Sequence, residues 1–272
     1  MKIILLPILF LCFLLQSCSR LDLAVQFSGN YIVNKTDNYF DLTKEQKKWL
    51  KENFDNDFLK VQKNIFPQIA GELLKIADVI NSKRPIDNTM VSVTYERVKN
   101  LFYDSLRLFS GNAVIFADHL TPKQIVYFQK EFDIKMGDLK DEESSKDSYK
   151  KMKKQFDTWM GSVTSAQKDE LEKFNFLNPP MTSEIISNRQ FLAHEFVKSY
   201  PDKIARKNFV EKLTIHLDKS YEEKFSKAYR DRYNKVLALT ASILNKMTDD
   251  QRKTMVETLR DRANQLMKIS KN

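Results

Sequence analysis

The segment Leu120-Thr121-Pro122-Lys123-Gln124 decides how this chain is interpreted, because its pattern recurs. An apolar residue followed by Thr-x-x-Gln occurs four times, and we call these copies the TxxQ motifs. A Thr hydroxyl at a helix N-cap accepts a hydrogen bond from a free backbone N–H, and a Gln three residues later reaches back to the N–H of the cap. Each motif therefore predicts a capping box at the start of an amphipathic helix. The predicted caps are Thr43 with Gln46, Thr121 with Gln124, Thr164 with Gln167, and Thr248 with Gln251.

The composition predicts an all-α fold. The chain has only five Gly and seven Pro among its 272 residues, too few for the many turns of an all-β protein. Charged residues make up 30% of the chain and apolar residues 42%, which is typical of amphipathic helices with one solvent-exposed face. We expect a bundle or an array of antiparallel amphipathic helical hairpins.

The N-terminal segment predicts export and a lipid anchor. Residues 1–17 read as a lipoprotein signal peptide, since Lys2 precedes a mostly apolar run, 3–15, that is too short to span a bilayer. The run ends in Leu-Gln-Ser-Cys, close to the pattern in which the Cys is acylated, so we expect a palmitate-type lipid on Cys18. An ordinary secretory signal that contains a Cys is the alternative. Ser19 after the Cys favours sorting to the outer membrane.

Two resemblances follow from these residues. The TxxQ motifs resemble those of the Spy and CpxP type of periplasmic stress chaperones, which are all-helical. The block Cys18-Ser-Arg-Leu-Asp-Leu followed by 39–46 resembles an uncharacterised Gram-negative lipoprotein family, the domain of unknown function 6279. The chain departs from that family at 65–69, where an acidic residue before Leu-Pro is expected. The resemblance implies a lipoprotein and implies no activity.

The remaining sequence divides into two predicted lobes. The Asn178-Pro179-Pro180 break separates a helical lobe, 18–180, from a basic helical lobe, 181–272, although one continuous domain is the alternative. Apolar residues at helical spacing predict one long helix over 217–247. The helix that Thr248 opens is expected to run antiparallel to it as a hairpin.

The sequence does not predict an enzyme. His119, His194 and His216 are not in a metal-binding motif, and no Gly-rich phosphate loop or nucleophile elbow is found. We therefore expect no catalytic residue, no metal and no cofactor.

The charge is concentrated in the last third of the chain. Residues 18–180 carry 25 basic and 24 acidic side chains, whereas residues 181–272 carry 19 and 12. Nucleic acid is not an expected partner outside the cytoplasm, so the predicted partners are envelope polyanions or protein clients. Solvated helix faces are the simpler explanation of the same charges. The candidate polyanion-binding residues are Lys203, Arg206, Lys207, Arg230 and Arg232.

These patterns together predict a non-catalytic binding module, lipid-anchored at the periplasmic face of the outer membrane through Cys18. A chaperone-like or envelope-stress role is the first hypothesis. The alternative is a structural envelope lipoprotein that contacts lipopolysaccharide, peptidoglycan or a partner assembly.

Overall fold

The computed structural model describes residues 25–141 and 145–271, and all regular elements in these two segments are helical. The predicted all-α fold is thus confirmed. The signal peptide and Cys18 lie outside the described residues. The helices are α1 (Ser28–Phe40), α2 (Lys44–Asn64), α3 (Phe66–Asn81), α4 (Asn88–Asp118), α5 (Pro122–Asp141), α6 (Ser145–Met160), α7 (Ser165–Leu177), α8 (Thr182–Ser199), α9 (Lys203–Ile215), α10 (Glu223–Asn245) and α11 (Asp249–Ile269).

The main core lies between α3 and α11, the pair of helices with the most extensive contact. Phe66, Leu73 and Ile80 on α3 are almost completely buried, and so are Leu259 and Leu266 on α11. Three alanines with no exposed surface allow the two helix backbones to approach each other: Ala70, Ala77 and Ala263. The last helix of the chain therefore completes a core that begins with the third.

Two predictions for the last third were wrong. The region predicted as one helix over 217–247 contains a 3-10 turn (Leu217–Ser220), and α10 starts only at Glu223. Tyr221 is extended, and Asn188 accepts a hydrogen bond from the backbone N–H of Glu222 at 2.8 Å. This contact with α8 draws the chain out of helical geometry. The final helix packs along α3 and α6, not as a hairpin against α10.

The largest apolar cluster draws on both predicted lobes. Leu171 and Met160 come from residues 18–180, and Ile243 and Leu259 come from residues 181–272. Smaller clusters surround Leu120 and Phe225. The division at residue 180 stays a prediction, although the core itself is shared across it.

Within the described segments, none of the helices combines the length and the apolar character needed to cross a membrane.

Candidate functional site: two glutamine pairs and an apolar cleft

Each TxxQ motif lies at a corner between consecutive helices. The Thr hydroxyl accepts from the Gln backbone N–H, and the Gln side chain accepts from the Thr backbone N–H, in all four copies. The capping boxes that the sequence predicts are therefore present. The apolar residue before each Thr is buried, which fixes each corner to the core: Leu42, Leu120, Val163 and Met247.

The glutamines also bind each other across the fold. Gln46 and Gln124 form the first glutamine pair, in which Nε2 of each side chain donates to Oε1 of the other, at 3.2 and 2.7 Å. Gln167 and Gln251 form the second glutamine pair in the same way, at 3.1 and 2.9 Å. The first pair joins the α1–α2 corner to the α4–α5 corner, and the second joins the α6–α7 corner to the α10–α11 corner.

A second set of hydrogen bonds is reciprocal in the same way within each glutamine pair. The remaining amide hydrogen of each Gln reaches a backbone carbonyl two residues before the partner's Thr. The acceptors are His119 for Gln46, Asp41 for Gln124, Lys246 for Gln167 and Ser162 for Gln251. Each amide thus satisfies its donors and its acceptor, which a buried polar group requires.

The sequence interpretation missed this pairing, although one signal could have indicated it. A capping box accepts Glu as readily as Gln, but all four copies carry Gln. A carboxylate cannot donate, so only the amide can cap its own helix and bind the opposite corner as well. Gln167 has no exposed surface, so the need for an amide that both donates and accepts is strictest at the second glutamine pair.

Two of the predicted polyanion-binding residues, Arg206 and Arg232, are engaged within the fold. The guanidinium of Arg206 is largely buried, bonds Asp118 at 2.8 Å and stacks on Tyr200, so the expected surface position of Arg206 was wrong. Arg232 is partly buried and donates to the carbonyls of Asn178 and Pro179, both at 2.8 Å. The exposed members are Lys203, Lys207 and Arg230, which lie on α9 and α10.

No group of three His, Cys, Asp or Glu residues suited to a metal ion occurs in the described segments. His119 hydrogen-bonds the carbonyl of Ile115 at 2.8 Å, and its ring lies 6.2 Å from that of Trp49. His194 lies within α8, and His216 caps the C-terminus of α9.

A large cleft opens between the helices. Its volume is about 1540 Å³, and residues of α1, α3 to α8, α10 and α11 line it. Small-molecule sites are commonly about 300–1,000 Å³, so this cleft is larger than a compact metabolite needs. Its walls are mainly apolar and aromatic, with Ile76, Val91, Phe156, Trp159, Val236 and Leu259 among them.

Tyrosines form one wall of the cleft. The hydroxyls of Tyr95 and Tyr229 are 2.9 Å apart, and the ring of Tyr233 lies 4.6 Å from that of Tyr95. Burial raises the pKa of Tyr95 far above its usual range, and neighbouring tyrosines raise it further. Burial likewise raises the pKa of Tyr229. The phenols are therefore neutral at physiological pH and contribute an uncharged surface.

The fold and the cleft define an all-α protein with a large, mainly apolar cleft between its helices. A family model matches residues 38–230, described as a family of unknown function, DUF6279. The chain belongs to this family. A search of curated proteins gave no match, and a search of solved structures gave none.

Proposed function

We propose that the protein is a non-catalytic binding module that holds apolar chains in the cleft, anchored by a lipid on Cys18 to the periplasmic face of the outer membrane. The observation that supports this proposal is the cleft itself, about 1540 Å³ with predominantly apolar walls. Apolar cavities of this kind stay poorly hydrated and bind apolar molecules. The neutral tyrosine wall adds hydrogen-bonding groups without adding charge.

The glutamine pairs support the proposal by fixing the frame around the cleft. The second pair holds the corner that follows Met160 and the corner that follows Leu244, and both of these residues line the cleft. A cleft of this volume must resist collapse, because apolar walls gain free energy by closing on each other. Hydrogen bonds between corners, with fixed geometry, oppose that closure.

The test is binding of the neutral apolar dye Nile red to residues 19–272, which contain every described residue. Its fluorescence should rise on binding to the folded protein. Val236→Trp places a large ring in the cleft and should weaken the dye affinity at least about tenfold, since filling the space removes most of the apolar contact. The matched control is Val126→Trp on α5, where the side chain is 67% exposed and outside the cleft.

The outcome separates the two roles that the sequence suggests. A chaperone-like role requires that wild-type protein suppress aggregation of a denatured client and that Val236→Trp lose this effect while Val126→Trp keeps it. A structural envelope lipoprotein would bind lipopolysaccharide or a partner assembly equally well with the cleft filled. No dye binding by folded wild-type protein would overturn the proposed function.

A further inference from the structure

One cation in the cleft is unusual. Arg189, on α8, lines the cleft, and its Nε is buried without a hydrogen-bond partner. Among the described residues no acidic side chain forms an ion pair with it. Burial lowers its pKa, and Tyr39 is the neighbouring group that opposes this effect. Burying a guanidinium costs free energy unless an anion or hydrogen-bond acceptors compensate.

The other cations that line the cleft are already engaged or exposed. Lys75 and Arg97 both pair with Glu72, at 2.7 Å. Arg232 bonds two backbone carbonyls, as described above. Lys35 is exposed, with its ammonium 5.6 Å from the ring of Tyr31. Among the described residues that line the cleft, Arg189 is therefore distinguished by a buried guanidinium Nε without a hydrogen-bond partner.

A second basic group lines the cleft beside Tyr39. The ammonium of Lys135 is 4.0 Å from the centre of the Tyr39 ring, and Tyr39 is also the neighbour of Arg189. Lys135 donates to the backbone carbonyl of Asn38, and it reaches the carboxylate of Glu131 at 3.4 Å. We call Tyr39, Lys135 and Arg189 the basic end of the cleft. One turn of α8 before Arg189, Ile185 and Ile186 line the same cleft.

The charges of the described residues that line the cleft also favour an anionic ligand. These residues include seven Lys and Arg but only two acidic residues, Asp87 and Asp138. A ligand that is apolar throughout would leave the basic end uncompensated, and an anionic peptide would meet mostly apolar walls. An acyl chain with an anionic head matches both surfaces.

We propose that the cleft binds a long-chain anionic amphiphile, a fatty acid or an anionic phospholipid, with its acyl chain along the apolar walls and its head at Arg189. This inference rests on the proposed function, because it names the ligand class of the same cleft. The guanidinium would donate to the carboxylate or phosphate in bidentate geometry, and one of the two donors would be the Nε that now lacks an acceptor. The acyl chain would replace water against the aromatic and aliphatic side chains.

The experiment is displacement of Nile red from residues 19–272 by ligands of equal chain length below their micelle concentrations. Palmitate should displace the dye at least about tenfold better than hexadecanol, since a charge-assisted hydrogen bond to the guanidinium adds to the apolar contact that both ligands make. Shortening the acid by two methylenes should weaken it about tenfold. Lysophosphatidylglycerol is the second arm, and its ratio to palmitate shows whether the head is a phosphate or a carboxylate.

Variants locate the head group. Arg189→Gln should remove the preference for palmitate over hexadecanol, which is measured as the ratio of the two displacement constants within the same variant. The matched control, Arg230→Gln, changes an exposed arginine on α10 and should keep the preference. Equal displacement by palmitate, lysophosphatidylglycerol and hexadecanol in wild-type protein would overturn this inference but leave the proposed function in place. A preference that persists in folded Arg189→Gln would also overturn it, and absence of dye binding would overturn both proposals.

Discussion

The side chains of Gln167 and Gln251 donate to each other in both directions, at 3.1 and 2.9 Å, although 84 residues separate them in the chain. The same arrangement joins Gln46 and Gln124 across 78 residues. A motif that would stabilise one helix start thus also fixes two distant corners to each other. Both functions depend on a group that donates and accepts at once.

Replacing Gln251 by Glu should separate the two functions. The carboxylate could still cap α11, but it could not donate to Gln167 or to the carbonyl of Ser162. Because the site is buried, we expect a loss of about 3 kcal/mol in the free energy of unfolding, measured by urea denaturation at pH 7. Thr248→Ala, which removes only the cap, should cost about 1 kcal/mol. Equal costs for the two variants would contradict a structural role for the pair.

The contact between α3 and α11 should dominate stability. Leu266 on α11 is 1% exposed, and Leu266→Ala should cost about 2–5 kcal/mol because it leaves a cavity. The neighbouring Met267 is 38% exposed, so Met267→Ala is a matched control that should change stability by at most about 0.5 kcal/mol. Thermal and urea unfolding of both variants measure the difference.

Glu72 should make stability depend on pH in the acid range. Burial alone would raise the pKa of Glu72, but hydrogen bonds and charges from Lys75 and Arg97 outweigh it and lower the pKa below 4.5. The stabilisation is therefore complete above the pKa of the unfolded chain and is lost as the pH falls through the lower folded value. Urea midpoints from pH 7 to pH 3 should fall less steeply for Glu72→Gln than for wild type. Parallel curves would show that this carboxylate does not contribute.

The lipid anchor is testable independently of the fold. Cys18→Ala should abolish incorporation of a fatty-acid probe, because Cys18 is the predicted acylation site. Cys12→Ala is the control and should keep the label, since Cys12 lies in the predicted signal peptide. Labelling of Cys18→Ala at the wild-type level would disprove the lipoprotein prediction.

The exposed basic residues of the last third should control association with anionic surfaces. Lys203, Lys207 and Arg230 are exposed, so changing all three to Glu should weaken co-sedimentation with phosphatidylglycerol vesicles at low salt. The control carries the same charge change at Lys44, Lys48 and Lys123, which are exposed outside this region. Equal weakening would mean that net charge, not its location, causes the association. Arg206 is unsuitable for this test because its guanidinium pairs with Asp118.

Much of the fold could be predicted because helix signals are local. The corners at Thr43, Thr164 and Thr248 follow from four consecutive residues each, and Gly161 ends α6 with a φ of 80° as its sequence position suggests. The partner of α11 could not be predicted, because an apolar stripe shows that a helix packs but not against which neighbour.

The cleft could not be predicted from the sequence either. Ile76, Phe156 and Val236 have the spacing of ordinary core residues, and only their three-dimensional arrangement leaves space between them. Nothing in the sequence around Arg189 marked it as a candidate binding residue, because polar and apolar residues are mixed along α8. Likewise, the spacing that placed Arg206 at the surface could not show that α9 turns it toward Asp118.

The packing of α3 against α11 has a consequence for how the chain can fold. Arg252, in the first turn of α11, donates to the carbonyl of Ile80 at the end of α3 across 172 residues of sequence. During synthesis α2 and α4 can pack against α3 early, but the main partner of its apolar face is missing until α11 has been made. Contacts this distant form slowly, and the exposed face favours aggregation in the interval. A chain that stops before residue 249 would keep the α11-binding part of that face exposed permanently, so quality control by proteolysis should remove such chains and spare those that include α11.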